Sequence, residues 1–127
     1  MSISKGVSPC LSRPDLCSLL CEGNVIVTGS NTGLGFEVAK HFASMKPAKL
    51  IIAVRSTEKG EQAKRNILEA HPSAAVEVWQ LDMASFASVK AFAARVKKDL
   101  DRLDLAVLNA GISNNHWATT GDGYEQT

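Results

Sequence analysis

From residue 24 onward, short apolar runs alternate with longer amphipathic stretches. The runs Val25–Thr28, Lys49–Val54, Ala75–Gln80 and Asp104–Asn109 are rich in Val, Ile and Leu, without strict polar alternation. Runs of this length and character predict strands buried on both faces, as in a parallel sheet covered by helices. Between them the apolar period changes to that of a helix. Residues 33–46 place Val38, Phe42 and Met45 on one face and stop before Pro47. Residues 57–70 begin at Thr57, carry Ala63, Ile67 and Ala70 on one side, and end at His71-Pro72. Residues 85–100 begin at Ser85 and carry Val89, Phe92, Ala93, Val96 and Leu100 at the i, i+3, i+4 spacing. The charges at Lys90, Arg95, Lys97, Lys98 and Asp99 fill the other faces of that helix as a solvated surface.

Val25, Leu50, Val76 and Leu105 of the successive strands lie 25, 26 and 29 residues apart, which suits a strand, a loop and a crossover helix. Right-handed crossovers then predict one parallel sheet in the order 3-2-1-4, with helices on both faces. The expected fold class is α/β: the first half of a Rossmann-like, doubly wound parallel sheet. Residues 1–22, with Ser, Pro and Cys and no sustained period, read as a flexible leader; residues 23–127 read as the domain.

Composition narrows the picture. The chain has 127 residues, 45% hydrophobic and 21% charged, with 14 basic against 13 acidic side chains. This is a single domain's worth of sequence with enough apolar residues to form a core. A formal charge of +1 without a basic cluster argues against nucleic acid as a partner. No apolar run approaches the roughly 20 residues of a membrane span, and no signal peptide is visible. Cys10, Cys17 and Cys21 give an odd count, and His41, His71 and His116 are scattered, so no metal site is expected. Reduced thiols and a cytoplasmic location are the corresponding expectations.

The candidate chemistry begins directly after the first strand, at Thr28-Gly29-Ser30-Asn31-Thr32-Gly33-Leu34-Gly35. Gly29 permits a sharp turn off the strand. Gly33 leaves room for a pyrophosphate at the helix N-terminus, whose free N–H groups favour anions, and Gly35 allows close helix packing. A strand before and a helix after satisfy the context that a glycine motif needs to count as a nucleotide site. A P-loop is excluded, because Phe36-Glu37 follows the last glycine instead of Lys and a hydroxyl residue. Arg55-Ser56 stands where an NAD-preferring enzyme or a methyltransferase would carry an acid for the ribose hydroxyls. A guanidinium there can clamp a 2′-phosphate, so NADP(H) is the expected cofactor.

These residues resemble the short-chain dehydrogenase/reductase family. Its Thr-Gly-x-x-x-Gly-x-Gly pattern is met by Thr28–Gly35, its acid after the third strand by Asp82 in Leu81-Asp82-Met83, and its Asn-Ala-Gly by Asn109-Ala110-Gly111. Val-Thr-Gly-Ser-Asn-Thr-Gly-Leu-Gly and Val-Arg-Ser-Thr-Glu-Lys-Gly look most like the retinol-dehydrogenase-like branch and fungal reductases of secondary metabolism. The resemblance implies that Ser30, Asn31 and Leu34 line the pyrophosphate and cofactor, and that Arg55 and Ser56 meet the 2′-phosphate with Lys59 nearby. It further implies that Asp82 holds the adenine amine with Met83 packed beside it, and that Asn109, Ala110 and Gly111 lie against the nicotinamide-side ribose. For Asp82 and Asn109, purely structural roles are open alternatives.

The resemblance also implies hydride transfer between a nicotinamide and a small-molecule carbonyl or alcohol, assisted by a Tyr, a Lys four residues later and a Ser. The sole tyrosine, Tyr124, follows Asn109 by only 15 residues, and the sequence gives it no Lys partner. No catalytic residue is therefore assigned. Residues 111–121 read as a loop, and Asp122-Gly123-Tyr124-Glu125 as an acidic N-cap beginning a helix. With an unpaired fourth strand, these features suggest a truncated cofactor-binding part of an oxidoreductase, inactive alone, a full-length form of which is free to form homo-oligomers. The alternative is a non-catalytic nucleotide-binding or interaction half-domain that pairs with or regulates another chain.

Overall fold

The computed structural model describes residues 20–127; most of the expected leader, including Cys10 and Cys17, lies outside the described residues. The chain runs β1 (Asn24–Thr28), α1 (Gly33–Ser44), β2 (Lys49–Val54), α2 (Thr57–Ala70), β3 (Val76–Gln80), α3 (Phe86–Asp99) and β4 (Leu105–Val107). The sheet order is β3-β2-β1-β4, and every pairing is parallel. Val25 pairs with Leu50 on one side and Leu105 on the other, while Leu50 also pairs with Val76.

Alternate strand residues feed two separate cores, as the two-residue strand period requires. Val25, Val27, Leu50, Ile52, Val54 and Val76 pack with Ala39, Phe42 and Ala43 of α1 and Ile67 of α2. On the opposite face, Ile26, Ile51, Ala53 and Trp79 pack with Leu81 and Leu100, against which Val89, Phe92 and Val96 of α3 are half-buried. Each large aliphatic side chain fully removed from water contributes about 1.5–3 kcal/mol. The first core is the deeper. No residue of α3 itself is buried, and Ala93, expected on its inner face, is exposed.

Packing also sets the element limits. α1 ends at Ser44, where Met45 and Lys46 donate their N–H groups back to Phe42 and Ala43, and Lys46 turns left-handed at φ 53 ahead of Pro47. Ser56 caps α2, so the capping residue precedes the expected Thr57. Leu20 is buried in the first core, so the packed unit extends back at least to that residue. Cys21 is disulfide-bonded, which corrects the expectation of a free thiol there. The expected strand 104–109 shortens to Leu105–Val107, and Leu108 is 83% exposed. The helix expected to start at Asp122 does not form. Residues 118–126 make a tight hairpin, with Thr119 bridged to Glu125 and Gly123 at φ 85. A left-handed Gly123 breaks the helical turn that the Asp-x-x-Glu pattern would begin. Among the described residues, no helix is long and apolar enough to cross a membrane.

The N-terminal ends of β1 and β4 are joined by charge. Asp104 Oδ2 accepts from the Asn24 N–H at 2.7 Å, and Arg102 pairs with Asp104 Oδ1 at 2.7 Å. The Asn24 amide bond first, and Arg102 second, hold the Asp104 carboxyl below its ordinary range. A depressed folded-state pKa stabilises the fold above the open-chain value of 3.8, and this contribution is lost as the pH falls below it. Asp104→Asn is therefore expected to flatten the acid limb of stability. Urea midpoints measured from about pH 6 down to about pH 3 should fall less steeply in the variant, and parallel curves would refute the role of Asp104.

Candidate functional site

Where β1 and β4 end side by side, one hydroxyl organises both loops. Thr28, 5% exposed, directs Oγ1 toward β4, where it accepts the N–H groups of Asn109 and Ala110, both at 3.0 Å. It donates in turn to the Val107 carbonyl at 3.4 Å. Asn109 returns the contact, its Nδ2 donating to the carbonyls of Thr28 at 3.3 Å and Gly29 at 3.2 Å. The backbones touch here: a Cβ on Gly29 would stand 2.8 Å from Ala110 Cα, and Gly29 has φ 63. Only glycine meets both conditions. A Cβ on Gly35 would overlap Asn109 Nδ2 and come within 2.5 Å of the Gly29 carbonyl oxygen. Gly35 therefore serves the approach of the helix to this junction, rather than to the sheet at large.

The loops after all four strands surround a cavity of about 660 Å³. Of the residues singled out in the sequence, it brings together Gly29, Asn31, Arg55, Ser56, Lys59, Asp82, Met83, Asn109, Ala110 and Gly111. Ser30, Gly33, Leu34 and Gly35 do not line it. Ser30 is wholly buried and donates its hydroxyl to the Val27 carbonyl at 2.9 Å, so its side chain closes the turn and does not face a ligand. Leu34 is 79% exposed on the outside of α1. Gly33, at φ 62, faces open space at the start of α1, with nothing within 4 Å of where a Cβ would stand. Thr28, Thr32, Leu81, Ile112, three residues of the hairpin, Thr120, Glu125 and Gln126, and the adjoining Thr127 also line the cavity. The first threonine of the glycine motif was the available signal for Thr28; nothing local marks the hairpin.

The side of the wall formed by the loops after β1 and β2 suits an anion. Thr32, the N-cap of α1, makes no side-chain capping bond, and the first turn holds no acid, so the leading N–H groups of that helix are uncompensated. Ser56 Oγ accepts from the Lys59 N–H at 3.4 Å, which leaves its hydroxyl proton available to a ligand. Arg55 and Lys59 are exposed on the same rim, and neither forms a salt bridge among the described residues. Asp82 uses Oδ1 to accept from the Ala84 N–H at 2.9 Å, which makes it a turn residue as well as a wall residue; Oδ2 has no hydrogen bond among the described residues. Tyr124 lies outside the cavity lining, its ring edge-on to Phe86 with centroids 5.1 Å apart.

The sequence profile of the short chain dehydrogenase family matches residues 23–124. The chain belongs to that family. It is 47% identical over 109 residues to the short chain dehydrogenase/reductase mfmJ of Annulohypoxylon moriforme, covering 85% of this chain and 32% of that protein. The short chain dehydrogenase atnD of Emericella nidulans is 50% identical over 99 residues, covering 77% and 31%. The chain thus spans about a third of the length of these relatives. Among solved folds, a metagenomic short-chain oxidoreductase in complex with NADP superposes with a TM-score of 0.67 at 28% identity, covering 78% of this chain and 42% of that one. Menthone neomenthol reductase from Mentha piperita superposes at 0.63 with 33% identity, covering 72% and 32%. The Rossmann-like sheet expected from the strand spacing is the fold of the family.

Thr28→Val removes the junction hydroxyl at nearly constant volume. Asn109 N–H keeps a second acceptor in the Val107 carbonyl at 3.1 Å, so the Ala110 N–H is the group stranded. The expected loss is about 1–3 kcal/mol, with Thr28→Ser close to the wild type. Urea unfolding checks it, and a Val variant as stable as the wild type would refute the junction's importance.

Proposed function

We propose that this chain is the NADP(H)-binding part of a short-chain dehydrogenase/reductase that interconverts a small-molecule carbonyl and an alcohol. The observation that carries the reading is the single cavity in which the Gly29–Thr32 turn, the Arg55-Ser56-Lys59 rim and the Asn109–Gly111 loop meet. The residues fit a dinucleotide. The uncapped start of α1 suits a pyrophosphate, because N–H dipoles there favour an anion. Arg55, the Ser56 hydroxyl and Lys59 hold the 2′-phosphate, and the free Oδ2 of Asp82 accepts from the adenine amine. The bound cofactor supplies or accepts the hydride at its nicotinamide. Asn109, Ala110 and Gly111 bound the ribose on that side.

The proton-transfer chemistry is not assigned to this chain. Its one tyrosine is engaged with Phe86 and lines no part of the cavity. The chain on its own is accordingly read as binding cofactor without turning over a carbonyl. NADP complexes among the solved relatives support the choice of cofactor. Membership of a fungal secondary-metabolism branch fits the fungal relatives, and the cytoplasmic setting rests on the cysteine content alone.

Arg55→Glu tests the phosphate clamp. A charge-assisted bond contributes about 1.5–3 kcal/mol, so NADPH affinity is expected to drop about ten- to 150-fold. NADH affinity should change little, and fluorescence titration with both cofactors decides; equal losses would remove Arg55 from the 2′-phosphate site. One observation favours a second reading. Among the described residues β4 has no strand on its outer edge, and Leu108 beside it is exposed, which suits a half-domain that adds its edge to another chain. Sedimentation at micromolar concentration should then report an assembly, whereas a monomer throughout would count against that second reading.

A further inference from the structure

The sequence marks Asp122 as a helix-capping acid, and the carboxylate does cap a helix, though not one that follows it. Asp122 Oδ2 accepts from the N–H of Phe86, the first residue of α3, at 2.8 Å. The cap of α3 itself, Ser85, accepts from Ser88 N–H at 3.3 Å, so the two acceptors serve different donors of one helix end. The first turn of α3 contains no acid of its own, and Asp122 supplies the negative charge that its dipole favours. Two residues on, the Tyr124 ring meets the Phe86 ring at 69°. One charged hydrogen bond and one ring contact therefore fasten the hairpin at a single residue.

The hairpin is stiffened from within. Thr120 N–H donates to the Tyr124 carbonyl at 2.7 Å, Gly123 N–H to Thr120 at 3.0 Å, and Gln126 N–H to Ala118 at 2.9 Å. Thr120, Glu125, Gln126 and Thr127 then form one stretch of the cavity wall, while Asp82, Met83 and Ala84, just before α3, form another. Asp122 and Tyr124 line neither stretch.

We propose that Asp122, seconded by Tyr124, is a positioning residue for the dinucleotide site, holding the 118–126 hairpin against α3 so that it completes the cavity wall. The inference rests on the NADP(H) reading above. Because neither side chain faces the cavity, any effect of replacing them on cofactor binding passes through the hairpin.

The test uses the intact chain, with Asp122→Ala, Asp122→Asn and Tyr124→Leu compared with the wild type. NADP⁺ affinity is measured by calorimetric titration, and amide exchange at Phe86, Thr120 and Gln126 is followed without and with NADP⁺. Asp122→Ala is expected to weaken NADP⁺ binding about two- to tenfold, the loss of one exposed hydrogen bond, and to speed exchange at Phe86 and Gln126. Asp122→Asn keeps an acceptor oxygen and should stay within about twofold of the wild type. In the wild type, NADP⁺ should slow exchange across the hairpin. Wild-type binding with unchanged or tighter affinity in Asp122→Ala would overturn the positioning role while leaving the cofactor reading intact. Absence of NADP⁺ binding to the wild type would defeat both. If Asp122→Ala does not fold, Tyr124→Leu decides on the same two readouts.

Discussion

A close backbone approach between the ends of β1 and β4 is the constraint on which the rest of the site depends. Two neighbouring parallel strands whose loops leave in different directions open a crevice between them, and here the crevice starts at Thr28 and Asn109. The Thr28 hydroxyl fills the acceptor role that the loop after β4 needs, and the Asn109 amide fills the donor role that the turn after β1 needs. Gly29 and Gly35 are the residues that leave room for this exchange. With the junction fixed from both sides, the Gly29–Thr32 turn and the Asn109–Gly111 loop become walls at a set separation.

Capping is distributed in keeping with that geometry. α2 and α3 each have a serine cap whose hydroxyl accepts a backbone N–H, and a cap of that kind contributes about 1 kcal/mol. α1 has the right residue type in Thr32 and forgoes the bond. The helix that starts at the crevice is thus the one whose N–H groups stay unspent, so the groups that could stabilise α1 remain available to a ligand. The opposite end of the sheet carries the compensating order. There Asp104, Arg102 and Asn24 tie β1 to β4 with short hydrogen bonds and a charge pair.

What could be read from the sequence follows the range of the interactions involved. The strands and the two-sided core are written in residue-to-residue alternation, and Thr57–Ala70 forms the helix expected for it. Arg55 and Ser56 were legible as wall residues from their place after the second strand, whereas Lys59, Asp82 and Asn109 were pointed to by the family resemblance. The reading failed where a side chain answers to a partner far along the chain. Ser30 looks like a ligand-facing residue of a glycine loop, yet its hydroxyl turns inward to Val27. Asp122 has the spacing of a local cap, but Gly123 ends that possibility and its donor is Phe86, 36 positions earlier. β4 shows the converse: its apolar residues predicted a longer buried strand, but only three of them pair, and Leu108 stands in the open.

Parallel topology explains how a stretch equal to about a third of its relatives' length brings these candidate cofactor residues together. In a sheet with all strands running one way, every C-terminal end lies on the same side, so each successive βα loop adds residues to one rim. β1 and β4 supply the glycine turn and the Asn109 loop, β2 the cationic rim, and β3 the Asp82 turn. No long-range rearrangement is needed to gather them, only the crossovers themselves. On the proposed reading, recognition of a dinucleotide and chemistry upon it are in this way separable within the fold, and the wall gathered by these four strands serves recognition.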